Sequence, residues 1–151
     1  MSRKPMLTTL KELHPLDEPL LLMNYALRGL VVEADKFLAA HGLSRVHHRI
    51  LYVLARSDDM SVGGLLVMLG ISKQALHRPM KFLLENGYIK NERLESEHRI
   101  RTLTLTPKGR AMEKSATDFE RTAMQSAFDL ISTKGRAAWL DVMLSLANRI
   151  E

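Results

Sequence analysis

The 151-residue sequence contains no cysteine, which removes disulfides, cysteine nucleophiles, thiolate metal sites and thiol redox sensing from its chemistry. The same absence fits a reducing compartment. Long apolar runs are missing too. The most apolar-looking stretch, from Leu20 to Met23 and onward, is interrupted by Asn24 and Arg28, well short of the roughly 20 residues that cross a bilayer. Near the N-terminus, Leu7, Leu10 and Leu13 are separated by polar residues and followed by Pro15, so no signal-peptide core is present. A soluble, cytoplasmic protein without a membrane partner is expected. There is no Gly-rich phosphate loop, nucleophile elbow, paired-carboxylate signature, HExxH or Cys/His pattern. The expectation is therefore no enzyme, no cofactor and no metal. His41, His47 and His48 are close in sequence, but only His41 and one of the pair have a spacing that lets them converge.

What remains is ordinary in bulk and biased in charge. Hydrophobic residues make up 46% of the chain and the formal net charge is +5, which favours an anionic partner without choosing one. Residues 1–16 carry mixed polarity and two prolines, and read as a flexible arm before a single domain over 17–151. Leu20, Met23, Leu27, Leu30, Val31, Ala34 and Leu38 recur at helical spacing from Asp17 to His41, and Gly42 stops the run. Ser44, Ser61 and Ser72 can each cap a short helix, over Arg45 to about Arg56, Val62–Leu69 and Lys73 to about Glu85. Val46, Ile50, Val53 and Leu54 form the apolar side of the first of these. The Gly70-Ile71-Ser72 joint suits a helix-turn-helix. Two strands follow, Tyr88–Leu94 and Arg99–Leu105, around a polar turn. In the second, Arg101, Leu103 and Leu105 share one face, and Ile100, Thr102 and Thr104 the other. Thr106-Pro107 opens a helix to about Ile131, with Met112, Phe119, Ala123, Ala127 and Leu130 inward. Thr133 caps a last one to about Ile150. The fold class is mainly α with a small β-hairpin wing, a winged helix-turn-helix over 44–105 flanked by long helices over 17–41 and 107–150.

On a helical wheel, Lys73, Gln74, His77, Arg78 and Lys81 fall within about 140° of one another, opposite Ala75, Leu76, Pro79, Phe82 and Leu83. No carboxylate lies on that face before Glu85. Arginine can bridge guanine O6 and N7, glutamine can pair with adenine, and lysine neutralises phosphate. The helix opening at Ser72 therefore reads as one that enters a DNA groove. From His41 to Arg56 there are three arginines, three histidines and no acid, suggesting a second helix that grips phosphate.

The chain resembles the MarR family of bacterial transcription regulators from about Asp17 to Ile150. The resemblance is carried by Leu69–Leu76, by Leu84-Glu85-Asn86-Gly87-Tyr88-Ile89 and by Leu103–Arg110. The family's Asp-Arg-Arg wing motif is matched by Glu97-His98-Arg99, one arginine having become histidine. The resemblance implies that Arg99 enters or skirts the minor groove. A protonated His98 would strengthen that contact at mildly acidic pH. With Arg93 and Arg101 on the hairpin, these residues complete the expected DNA-contacting set of Ser72, Lys73, Gln74, His77, Arg78 and Lys81. Pro79 inside the reading helix predicts a bend. Gly63-Gly64 cost the third helix roughly 1 kcal/mol each against alanine, for close packing or pliability. The resemblance further implies a homodimer, with Leu20, Met23, Leu27, Trp139, Leu140, Met143 and Leu146 as candidate interface. Its two reading helices would meet successive major grooves of a pseudo-palindrome in double-stranded DNA. The implied ligand class is a small aromatic or anionic effector that shifts the lobe spacing and releases a repressor. Tyr25, Arg28, His48 and Tyr52 are residue types that suit such a site, and packing accounts for them equally well. An adaptor or assembly module acting through protein contacts would share this fold.

Overall fold

The computed structural model describes residues 11, 14–93 and 101–150. The expected arm over 1–16 lies largely outside them. Helix α1 (Asp17–Ala40) opens with Asp17 and Glu18 in its first turn, where carboxylates favour the helix dipole. Its second half buries Val31, Ala34 and Leu38, while Leu20, Met23 and Leu27 in its first half are exposed. Gly42, at φ +72°, turns the chain into α2 (Arg45–Ala55), which buries His48, Ile50, Leu51 and Leu54. Strand β1 (Met60–Ser61) precedes α3 (Val62–Leu69), where Ser61 Oγ accepts the Gly64 amide at 3.0 Å. Gly70, left-handed at φ +62°, closes α3, and α4 (Lys73–Glu85) follows.

Strands β2 (Ile89–Arg93) and β3 (Arg101–Leu105) pair antiparallel, with Ile89 opposite Leu105 and Arg93 opposite Arg101. The sheet order is β1-β3-β2, so β3 is central. Thr102 and Leu103, which the alternation places on opposite faces of β3, are both buried, and β3 is paired along both edges.

Thr106 caps α5 (Pro107–Phe128), its hydroxyl oxygen accepting the Gly109 amide at 3.1 Å. The buried stripe of α5 is Gly109, Glu113, Ala116 and Thr117. Of the expected inward set, Met112 packs half-buried against the core and Ala123 is half-buried, while Phe119, Ala127 and Leu130 are exposed. Helix α6 (Thr133–Ala147) is capped by Ser132, which accepts the Gly135 amide at 3.1 Å, rather than by Thr133. It stops short of Ile150. None of its residues is buried. One apolar core joins the end of α1 to α2, α3, α4, the sheet and the start of α5, centred on Leu38, Ile50, Leu51, Leu65, Leu76 and Leu83.

Candidate nucleic-acid interface

Helix α4 begins at Ser72, whose Oγ accepts the Ala75 amide at 3.2 Å. Leu76 and Leu83 anchor it in the core, with Met80, Phe82 and Leu84 half-buried beside them. This leaves Lys73, Gln74, His77, Arg78 and Lys81 exposed together, as the wheel predicts. Ala75 is exposed as well, against expectation, although Leu76 beside it is buried. Lys81 Nζ lies 3.7 Å from Glu85 Oε1; no ion pair joins Lys73 or Arg78 to another described residue. The helix continues through Pro79, although that residue has no amide to give the Ala75 carbonyl.

The surface is held at several points. The His47 ring packs on Phe82 at 5.0 Å between centroids. Arg49 Nη2 donates to the Leu69 carbonyl at 2.8 Å, at the turn between α3 and α4. At the far end, Asn86 Nδ2 donates to the Phe82 carbonyl, and Lys108 Nζ donates to the Asn86 carbonyl at 2.8 Å over the Tyr88 ring.

The hairpin brings the backbones of Arg93 and Arg101 opposite one another at the edge of the described residues. His98 and Arg99 lie outside them. The basic groups of α2 and its approach have partners within the chain, while His41, Arg45, Arg49 and Arg56 stay exposed at the surface. Arg45 bonds Asp35, Arg56 bonds Glu113, and His41 Nδ1 sits 2.8 Å from the Phe37 carbonyl. His47 Nδ1 accepts the Ser44 amide at 3.0 Å, and burial holds its pKa below the ordinary value of 6.5. His48 Nε2 meets Thr117 Oγ1 at 3.0 Å. The three histidines do not converge, and no cluster of three metal-ligating side chains occurs among the described residues. Among those residues no helix is long and apolar enough to cross a membrane.

Of the residue types suited to an effector, Arg28 lies over Tyr25, while Tyr52 carries the Arg56 guanidinium 3.5 Å from its ring centroid. His48 is buried in the protein's own hydrogen bonds. A groove does form elsewhere, between α5 and α6, where Arg121, Gln125, Phe128 and Arg136 line it. Sequence reasoning gave none of these four.

The MarR family model matches residues 41–100, the span between the end of α1 and the start of β3. The HTH-type transcriptional regulator PetP of Rhodobacter capsulatus is 29% identical over 121 residues, 80% of this chain and 73% of that protein. Among solved structures, a MarR-family transcriptional regulator from Silicibacter pomeroyi superposes with a TM-score of 0.75 at 25% identity, over 93% of this chain and 97% of that one. Streptococcus pneumoniae FabT, solved in complex with DNA, superposes with a TM-score of 0.76 at 18% identity, over 87% and 94%.

Proposed function

We propose that the chain is a member of the MarR family and, from that premise, that it is a homodimeric repressor that binds a pseudo-palindromic operator in double-stranded DNA. The family's members are non-enzymatic DNA-binding regulators of transcription. The observation that carries the reading is the face of α4: five basic or amide side chains exposed together on a helix clamped by α2, the core and Lys108. Such a face suits a major groove, where arginine and glutamine exchange their water for paired hydrogen bonds to a base edge. Gln74 and Arg78 are assigned to bases, Lys73 and His77 to the groove floor or wall, and Lys81 to phosphate. Ser72 starts the helix and brings its N-terminal amides near the backbone. On the wing, Arg99 is assigned to the minor groove, with His98 beside it and Arg93 and Arg101 on the flanking phosphates.

The dimer reading draws on α6 and the first half of α1. Leu20, Leu27, Leu140 and Leu146 are large apolar side chains left exposed in one chain, the state of a helix face made to be covered. A two-fold axis through that contact would set two copies of α4 about one helical turn of DNA apart. A small aromatic or anionic effector would act by favouring a lobe spacing that no longer matches the operator.

Selection of bound sequences from a random duplex pool, at stated salt, tests this directly. The expected product is a two-fold symmetric motif with half-sites about one helical turn apart. Gln74→Ala and Arg78→Ala should each weaken one base position selectively by about 1–3 kcal/mol. Lys81→Ala should weaken all sequences evenly and lower the salt slope by about one. Failure to enrich any sequence, or even losses for all three variants, would remove sequence-specific reading and leave an adaptor.

A further inference from the structure

The polar groups along the seam between α2 and α5 form one connected chain, running from Arg56 at the surface into buried Glu113, Thr117 and His48. Arg56 Nη1 of α2 donates to Glu113 Oε1 of α5 at 2.7 Å and to the Tyr52 carbonyl at 3.0 Å. One turn further along α5, the Thr117 hydroxyl donates to the same Glu113 oxygen at 2.7 Å. With its proton given away, Thr117 Oγ1 accepts at 3.0 Å from His48 Nε2, which therefore carries the hydrogen. The other ring nitrogen of His48 faces Glu120 Oε1 of α5 at 3.4 Å. Glu113, Thr117 and His48 are 6%, 3% and 3% exposed. Leucines would fill this seam at lower desolvation cost. They would also let two helices slide or rotate, whereas a bonded polar chain is satisfied in one relative placement only.

The seam lies between parts that do different work under the proposed function, on which this inference rests. Helix α2 holds the reading lobe through His47 on Phe82 and Arg49 on Leu69, while α5 runs from the wing toward the pairing helices. We infer that Glu113, with Thr117 and His48, is a positioning residue that fixes the angle between lobe and stem and so fixes the operator spacing the dimer accepts. Glu113 is the hub, because one carboxylate oxygen holds a donor from each helix. Thr117 is the link that extends the chain to His48.

The test uses the full chain and the selected operator, with one or two base pairs inserted between half-sites. Each inserted pair displaces a half-site by about 3.4 Å and turns it by about 35°. The unmodified protein is expected to lose about tenfold or more in affinity per insertion, the equivalent of about 1.4 kcal/mol. In Glu113→Gln and Thr117→Val the penalty for insertion should shrink to about threefold or less, since a loosened lobe can follow the displaced site. A residue that merely stabilises the fold would lower affinity for every spacing alike and leave that ratio unchanged. Thr117→Val keeps the Arg56–Glu113 ion pair, so it carries the test if Glu113→Gln does not fold, with circular dichroism and melting confirming the folded state. A folded Thr117→Val with the unmodified protein's spacing ratio overturns the inference. Spacing independence already present in the unmodified protein overturns it too, and shows that the two-half-site reading itself has failed.

Discussion

Two glycines of this chain ask opposite things of an alanine. A Cβ on Gly109 would lie 1.9 Å from the Tyr88 carbonyl oxygen, a backbone atom with nowhere to go. That oxygen also accepts the Thr106 amide at 3.1 Å, and the Thr106 hydroxyl donates to the Gly87 carbonyl at 2.7 Å. The start of α5 is thus pressed onto the start of β2, and only glycine permits the approach. Gly109→Ala must pry the two apart and should cost about 1–3 kcal/mol or more by overpacking, read from urea unfolding. At Gly63 a Cβ would meet nothing nearer than 3.9 Å, so Gly63→Ala should gain up to about 1 kcal/mol from helix propensity alone. Gly64 stands between them, since its Cβ would come within 3.0 Å of Met60 Sδ, the end of a flexible side chain. The neighbouring glycines that look alike in sequence are thereby separated by what lies opposite each.

Helix α2 is held at its start by a histidine that also touches α4, so one titration affects two elements. His47 Nδ1 accepts the Ser44 amide, and its ring packs on Phe82. Burial lowers its pKa from 6.5, so the folded state prefers the neutral ring. The stability it contributes is complete above the ordinary value of 6.5 and is lost as pH falls through the lower folded value. His47→Gln keeps a capping-box side chain at the same position and does not titrate. Its stability, measured by urea unfolding from pH 7 to 5, should fall less steeply than that of the unmodified chain; parallel slopes would refute the assignment. The elements themselves were largely legible because their signals are local. Ser44, Ser61 and Ser72 stand at helix starts, and Gly70 takes the left-handed turn. Strand β1 was not legible, since two residues have no periodicity to read. How the basic run of α2 is engaged within the chain was not legible for the same kind of reason. Its partners Asp35, Leu69 and Glu113 are brought to it only by the tertiary fold. The α4 face was legible because anchoring leucines and basic groups repeat on one helix.

At the scale of the whole molecule, the apolar surface is unevenly spent. The reading lobe closes on its own core of Leu65, Leu76 and Leu83, yet α6 buries no residue and Leu20 at the start of α1 is 66% exposed. Trp139, the chain's single tryptophan, stands 38% exposed with its ring edge-on to Phe128 at 5.2 Å between centroids. If a second copy covers this face, Trp139 is a built-in reporter of assembly. Sedimentation should give twice the chain mass, and dilution should shift the tryptophan emission to the red in step with the fall in mass. Leu140→Arg places a charge in the centre of the proposed contact, where it would be buried without a partner and would disfavour pairing. Because the lobe's core uses no residue of α6, this variant should remain folded by circular dichroism while running as a monomer. Each monomer would still present Gln74 and Arg78, so it should retain weak half-site binding and lose the cooperative gain of two linked half-sites. A monomeric Leu140→Arg with unmodified operator affinity would show that one lobe suffices. A Leu140→Arg that stays dimeric would place the pairing surface on another face.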